Sequence, residues 1–209
     1  MKRIIDLKTW ERCESFSFFH DFVNPYISVT CRMDCRKAKA AASCEGTSFF
    51  LYYLHAIVRA VNEIPEMRYR IDAEGNIVEY DHIDVLTPIK PKEGKGFVTM
   101  RFPYKENRLT FCRHAAELIN EMPSTSAFGA ESSCEEFDVV IVSVIPDLPF
   151  TAMTCTQRRS GGNDYPLINV GMMDADFLMP VALSVHHGFM DGEHIAVFYK
   201  KVQAYLNGD

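Results

Sequence analysis

The apolar residues of this chain recur in segments whose periods predict strands and helices. Two nearly continuous apolar runs, at 137–146 and 176–185, are typical of strands that are buried on both faces. Alternation over Tyr26–Asp34 predicts another strand. The segment Phe49–Asn62 is apolar nearly all round, which predicts a buried helix. Helical spacing of apolar positions over 195–206 predicts a helix after the short segment that follows the second apolar run.

Shorter alternating segments predict further strands. Residues 67–71 and 76–80 flank a glycine-bearing turn and predict a β-hairpin. Residues 165–173 and the run at 176–185 predict a second hairpin. Two more segments are expected to be strands: 84–90 and 96–102.

Two more helices complete the pattern, at 35–44 and 106–122. On the second, five side chains are expected to face the core: Leu109, Phe111, Ala115, Leu118 and Ile119. His55, in the buried helix, is expected to be a packed core residue rather than a base. Residues 123–136 are rich in Ser, Ala and Gly and are expected to be a linker.

Length and charge limit the class of protein. At 209 residues, one domain spanning 1–209 is the default, and the chain is long enough to bury a full core. Apolar residues make up 47% and charged residues 24%, as in ordinary globular proteins. No apolar run reaches the length of about 18 residues that a membrane span needs. The net charge of -6 argues against general binding to nucleic acid.

The cysteines indicate a reducing environment. The seven cysteines form no CxxC pair, and their number is odd. The basic N-terminal residues are not followed by an apolar core or a small-residue cleavage site, so no signal peptide is expected. We therefore expect a cytoplasmic protein with reduced thiols. Cys31, Cys35 and His20 lack a second ligand pair, so no metal site is expected.

Two adjacent histidines stand where the pattern changes from strand to helix. His186 and His187 are followed closely by Gly188, Asp191 and Gly192. Rigid elements on both sides of such a junction hold side chains in fixed directions. Since an imidazole can take and give a proton near neutral pH, a catalytic base is one interpretation and a structural histidine is the other. Asp191 could orient the ring, cap the helix or pair with a cation.

The motif HHGFMDG at 186–192 resembles the HHxxxDG motif of the chloramphenicol acetyltransferase family. In that family the second histidine is the general base, which implies this role for His187. The motif also occurs in other CoA-dependent acyltransferases, including the catalytic cores of 2-oxo acid dehydrogenases. The resemblance runs from Trp10 to the last helix, in order and with similar spacing. It implies an α/β fold, an α+β two-layer sandwich whose mixed β-sheet is covered by helices.

The resemblance also implies a partner for the aspartate of the motif. Trp10, Arg12 and residues 16–19 match the family's Trp-x-Arg and Phe-x-Phe-Tyr patterns. In the family this arginine forms a salt bridge with the motif aspartate, which implies a pair between Arg12 and Asp191. A solvated surface arginine is the alternative, but a buried aspartate beside a catalytic turn needs a partner.

One position departs from the family pattern. Residues 143–153 resemble the family's Ser-x-x-Pro-Trp-x-x-Phe-x-Ser-Phe segment, whose late serine donates a hydrogen bond to the tetrahedral oxyanion. Ala152 stands at that position here. The neighbouring hydroxyl of Thr151 is expected to replace the lost donor, with Thr154 a second hydroxyl nearby; β-branching in a strand is the other reason for Thr151. Asn169 stands where the family has a threonine that helps to hold water.

The function implied by the resemblance is transfer of acetyl from acetyl-CoA to a hydroxyl of chloramphenicol, which gives antibiotic resistance. The reaction would use a ternary complex, without an acyl-enzyme or a metal, in a homotrimer with active sites between subunits. Four residues fall in the region that lines the acceptor pocket: Phe18, Phe19, Val23 and Tyr26. Four cations are candidates for the CoA phosphates, with solvated surface charges as the alternative: Arg158, Arg159, Lys200 and Lys201. A related acyltransferase with another acceptor and a catalytically weak ligand-binding relative are the rival interpretations.

Overall fold

The computed structural model describes residues 1–91, 93, 96–122, 137–155 and 164–209. Its strands are β1 (Lys2–Ile4), β2 (Tyr26–Asp34), β3 (Tyr69–Ile71), β4 (Ile77–Tyr80), β5 (Asp84–Ile89), β6 (Val98–Phe102), β7 (Val139–Ile145), β8 (Leu167–Gly171) and β9 (Leu178–His186). Its helices are α1 (Cys13–Phe19), α2 (Arg36–Cys44), α3 (Phe49–Asn62), α4 (Arg108–Asn120) and α5 (Gly192–Leu206). A short 3-10 helix, Pro65–Arg68, leads from α3 into β3.

Most element bounds follow the sequence pattern. β2 and α3 have the predicted bounds, and both expected hairpins form, β3 with β4 and β8 with β9. β1 is not predicted by the pattern, because three residues are too few to show a period. The expected linker at 123–136 lies outside the described residues, as do Arg158 and Arg159.

One inward position on α4 was wrongly predicted. Leu109 is 53% exposed, whereas Phe111, Cys112 and Ala115 form the buried stripe of this helix. Position 109 lies about a third of a turn around the helix from the centre of that stripe, so its side chain points to solvent. His55 on α3 is buried as predicted, with Nε2 3.0 Å from the carbonyl oxygen of Lys105. None of the helices in the described part of the chain has the length and apolar character needed to cross a membrane.

The larger sheet has six strands in the order β2-β9-β8-β7-β5-β6. β7 pairs in parallel with β5 and β8, and the other neighbours are antiparallel, so the sheet is mixed as expected. β2 is an edge strand, and its register places Tyr26 opposite His186 and Ser28 opposite Ser184. The strand that ends at the double histidine is therefore held by β2 on one side and β8 on the other.

One face of this sheet forms the apolar core. Val181, Leu183 and Val185 alternate along β9, point to this face and are at most 1% exposed. α3 and α5 pack against each other and against strands of the sheet. Tyr199 Oη of α5 donates a hydrogen bond to the carbonyl oxygen of Val29 on β2, at 2.7 Å. These helices form the second layer of the α/β fold, while polar side chains occupy the opposite face of the sheet near the end of β9.

A second sheet of three antiparallel strands, β1-β4-β3, contains a buried carboxylate. Glu79 of β4 is 6% exposed and pairs with Arg3 at 2.5 Å and with Arg68 at 2.9 Å. Both arginines offset the cost of burying this charge, which alone in a protein interior would be several kcal/mol.

Candidate active site

A five-residue turn, 187–191, joins β9 to α5 and carries the second histidine of the motif. The backbone N–H of His187 donates to the carbonyl oxygen of Pro25 at 2.7 Å, which fixes the start of the turn against β2. The ring Nδ1–H of His187 donates to the carbonyl oxygen of Met190 at 3.0 Å. Within the described residues, no side chain or backbone group bonds to Nε2. The ring therefore has its tautomer fixed at one nitrogen and an available lone pair on the other.

Helix α1 lies over both histidines. Phe16 and Phe19 are three residues apart and so share one face of this helix. The ring of Phe19 stacks on His187, with centroids 4.0 Å apart and planes at 15°. The ring of Phe16 stacks on His186 at 5.7 Å and 26°. The aromatic residues of the opening segment thus orient the imidazole rings of the motif.

The first histidine of the motif is a buried structural residue. His186 is 4% exposed, and its Nδ1 accepts a hydrogen bond from the backbone N–H of Gly188 at 3.1 Å. Burial lowers the pKa of His186 to about 4, and the neighbouring His20 and His187 contribute. His186 is therefore neutral at pH 7, and its ring is enclosed by Phe16 and Phe189.

The predicted contact between Arg12 and Asp191 is present. Arg12 Nη1 donates to Asp191 Oδ2 at 3.1 Å, Nε donates to the carbonyl oxygen of Gly188 at 3.2 Å, and Nη2 lies 3.4 Å from that of His187. The Arg12 side chain is 13% exposed, so it is not a solvated surface arginine. One guanidinium therefore binds three points of the 187–191 turn and holds the backbone that carries His187.

Asp191 is also the N-cap of α5. Its Oδ1 accepts from the backbone N–H of Glu193 at 3.1 Å and from Nδ1 of His194 at 2.8 Å. Burial alone would raise the pKa of Asp191, but the hydrogen bonds from His194 and from Arg12 outweigh it and lower the pKa to about 2. His194 was missed by the sequence reasoning. The spacing from an N-cap residue to the third residue of a helix is the available signal, since capping boxes use it.

A cavity of about 320 Å³ lies beside the paired ends of β2 and β9. It is lined by polar residues: Asn24, Tyr26, Ser28, Thr154, Cys155 and Ser184. Ser28 and Ser184 face each other across the strand pair, with their Oγ atoms 2.7 Å apart. Asn169, which is 3% exposed, donates from Nδ2 to Cys155 Sγ, and Tyr26 Oη donates to the carbonyl oxygen of Tyr165 at 3.0 Å. Of the predicted pocket residues, Tyr26 lines this cavity, and the buried Asn169 contacts it indirectly through Cys155.

The other predicted pocket residues lie together on α1 and the segment after it. Phe18 contacts Phe19 edge-on at 4.9 Å and Phe22 at 5.4 Å. Phe18 and Val23 are 65% and 104% exposed, and neither lines the polar cavity. Phe19 connects this apolar group to His187 through the stacked rings. The structure therefore separates the predicted set into an exposed apolar part and a polar cavity.

The segment after β7 supplies one hydroxyl to the cavity. Thr154 lines it, whereas Thr151 is exposed and does not. Ala152, at the position of the family serine, is exposed as well. The role of Thr151 as oxyanion donor stays a prediction.

Cys31 lies in β2, Cys35 directly follows that strand, and the thiols of both have raised pKa values. Cys35 is buried, and burial, with a contribution from Asp34, raises the pKa of its thiol to about 12. Burial also raises the pKa of Cys31. A thiol binds metals as its thiolate, which a raised pKa disfavours at neutral pH. Among the described residues, no three His, Cys, Asp or Glu side chains come together as a metal site.

Solved structures of acyltransferases share this fold. A solved dihydrolipoamide acetyltransferase from Azotobacter vinelandii superposes with a TM-score of 0.62, at 17% identity, over 93% of this chain and 86% of that one. A solved chloramphenicol acetyltransferase superposes with a TM-score of 0.91, at 46% identity, over 99% of this chain and 100% of that one. The likeness to the solved chloramphenicol acetyltransferase identifies the class of protein as an acyltransferase.

The family follows from the sequence comparison. The family model for chloramphenicol acetyltransferase matches residues 2–203. The chloramphenicol acetyltransferase of Staphylococcus aureus is 27% identical over 207 residues, which cover 96% of each chain. This chain belongs to the chloramphenicol acetyltransferase family and is an acetyltransferase.

Proposed function

We propose that this enzyme transfers acetyl from acetyl-CoA to a hydroxyl of chloramphenicol, with His187 as the general base. The observation that carries this proposal is the state of the His187 ring. Nδ1–H is bound to the carbonyl oxygen of Met190, so Nε2 presents a lone pair, in a chain of the chloramphenicol acetyltransferase family.

In the proposed reaction, Nε2 of His187 takes the proton of the acceptor hydroxyl as its oxygen attacks the thioester carbonyl. A new C–O bond forms, and the carbonyl electron pair moves to the oxyanion. When the oxyanion collapses, the C–S bond breaks, and the imidazolium of His187 returns its proton to the departing thiolate. Both substrates are bound together, so no acyl-enzyme forms, and no step requires a metal.

The oxyanion needs a hydrogen-bond donor, and we assign this role to Thr151. Its hydroxyl is next to Ala152, the position where the family has its serine donor. Thr151 is exposed, so it is free to meet a bound substrate. Removal of one such donor in other enzymes costs about 3 kcal/mol of transition-state stabilisation.

The acceptor would contact both groups of predicted pocket residues. Phe19 and its neighbour Phe18 supply apolar surface next to His187, and Val23 adds an exposed apolar side chain shortly after α1. Tyr26 lines the polar cavity, and Asn169 bonds to Cys155 in its wall. An apolar wall with a few placed polar groups is the usual composition of a small-molecule site.

We also propose a homotrimer in which each active site lies between two subunits. Phe18, Phe22 and Val23 expose 65%, 47% and 104% of their surface beside the ring that covers His187. Grouped exposed apolar side chains indicate a surface that another molecule covers. A second subunit would remove them from water and complete the acceptor pocket.

A related acetyltransferase with another small hydroxyl acceptor is the second candidate function. The polar lining of the cavity favours it, because hydroxyls such as Ser28 and Thr154 would pair with an acceptor richer in hydrogen-bonding groups.

The test measures CoA thiol release from acetyl-CoA with and without chloramphenicol, and with a panel of simple sugars and alcohols. Release that requires chloramphenicol supports the first proposal, and release that requires another alcohol supports the second. A shift of the melting temperature by chloramphenicol, without thiol release on any acceptor, would refute both and indicate a ligand-binding relative.

A further inference from the structure

We infer that His194 is a positioning residue for acetyl transfer, acting through Asp191 and Arg12 on the turn that carries His187. The inference rests on the proposed role of His187 as the base. The contacts that support it form a series of hydrogen bonds from His194 through Asp191 and Arg12 to the turn at 187–191.

His194 lies between two carboxylates. Its Nδ1 is 2.8 Å from Asp191 Oδ1, and its Nε2 is 3.6 Å from Glu66 Oε1. Nδ1 is also 3.3 Å from the backbone N–H of Asp191. One nitrogen cannot donate and accept at once, so we assign its hydrogen to the carboxylate, which is the closer and charged partner. Glu66 lies on the far side of the ring, beyond hydrogen-bond distance, so the bond to Asp191 is the contact that the inference uses.

The two carboxylate oxygens of Asp191 accept hydrogen bonds from different partners. Oδ1 accepts from His194 and from the Glu193 backbone, and Oδ2 accepts from Arg12. Without His194, one backbone N–H alone would hold Oδ1, and the carboxylate could rotate about its terminal torsion, which is broad for aspartate. Oδ2 would then no longer be aligned to accept the hydrogen bond from Arg12.

A weaker bond between Arg12 and Asp191 would also affect the orientation of the proposed base, His187. Arg12 uses its other N–H groups to hold the carbonyl oxygens of Gly188 and His187. The same turn includes Met190, whose carbonyl oxygen accepts from the His187 ring. A looser guanidinium therefore allows the ring to leave the orientation that presents Nε2 to the acceptor. Small misplacements of a reacting group are costly in rate, although the substrate still binds.

The kinetic test compares three variants. In His194→Ala, we expect kcat to fall about ten-fold, while the KM for acetyl-CoA stays within about two-fold of wild type, because binding does not use the lost contact. His194→Asn places an amide N–H near the position of Nδ1 and should restore most of kcat. His82→Ala is the matched control, since His82 is exposed. A wild-type kcat in His194→Ala, measured well below its melting temperature, overturns the inference.

A double-mutant cycle separates positioning from general stability. If His194 acts through Arg12, adding His194→Ala to Arg12→Met should lower kcat by less than about two-fold. Full multiplication of the two effects would overturn the proposed route.

The ¹⁵N shifts of the His187 ring give a readout that needs no acceptor. Wild type should show one tautomer, with hydrogen on Nδ1, and His194→Ala should show a mixture. Identical ring shifts in the two proteins would overturn the inference. If wild type transfers no acetyl group at all, the proposed function fails while this measurement still tests the positioning.

Discussion

Stability should fall between pH 6.5 and pH 4 because of one buried residue, His186. The ring is 4% exposed and is packed against Phe16 and Phe189, where a charge would lack water. Burial lowers the pKa of His186 from 6.5 to about 4 in the folded protein. The unfolded chain therefore binds more protons than the folded chain in this range. The stability that depends on His186 being neutral is fully present above pH 6.5 and is lost as the pH falls toward 4.

The size of the effect follows from the two pKa values. The difference between 6.5 and about 4 corresponds to about 3 kcal/mol, at about 1.4 kcal/mol for each pKa unit. Integration of the proton uptake gives a loss of about 2 kcal/mol already at pH 5. Total stabilities are only about 5 to 15 kcal/mol, so a change of this size is easily measured.

The assay is urea unfolding at pH 8 and pH 5, with protein concentration held constant because association would shift the midpoint. His186→Asn keeps an acceptor for the Gly188 N–H but cannot gain a proton. It should therefore lose about 2 kcal/mol less than wild type between the two pH values, whatever its stability at pH 8. His82→Asn is the surface control and should keep the wild-type difference.

The reasoning would be refuted if wild type and His186→Asn lost the same free energy between pH 8 and pH 5. A residual loss in the variant is expected, because burial also lowers the pKa of His55. Only the difference between the two proteins reports on His186.

If His187 is the proposed base, His187→Ala should reduce kcat in the thiol-release assay by at least a thousand-fold and leave the melting temperature within a few degrees, since the ring is only half-buried; turnover near wild type would remove it from that role. Arg12→Ala leaves Asp191 with fewer partners and should cost about 1–3 kcal/mol in urea unfolding and lower kcat, so unchanged stability together with unchanged kcat would contradict the three-point contact of Arg12. Gly188→Ala should cost about 1–3 kcal/mol, since a Cβ there would meet His186 Cε1 at 2.9 Å and Phe16 Cα at 3.0 Å; a melting temperature equal to wild type would show that the turn can relax.

Local pattern in the sequence predicts the elements of this protein well where the period is long and consistent. α3 is apolar all round over fourteen residues, and β2 alternates over nine, so both have their predicted bounds. The pattern predicts burial less accurately at the ends of helices. Leu109, in the first turn of α4, is apolar but lies outside the buried stripe. A period assigns a residue to an element, but it does not fix how far the buried face extends around a helix.

The contacts of the site are not local and could not be read from periodicity. Arg12 and Asp191 are 179 positions apart, and their pairing was expected only from resemblance to a family. Ser28 meets Ser184 because of the register between β2 and β9, which the sequence of neither strand specifies alone. His194 of α5 lies 3.6 Å from Glu66 of the 3-10 helix, a proximity that arises only from the tertiary structure.

The double histidine shows how neighbouring residues of one type acquire opposite properties. His186 is the last residue of a strand and is enclosed by Phe16 and Phe189, so burial keeps it neutral and structural. His187 is the first residue of the turn, where Pro25 holds its backbone and Met190 holds its Nδ1–H. A one-residue slip of β9 would exchange these environments, so that His187 would become the buried ring and His186 would move into the turn. The strand end between them is therefore the feature that decides which ring can act as a base.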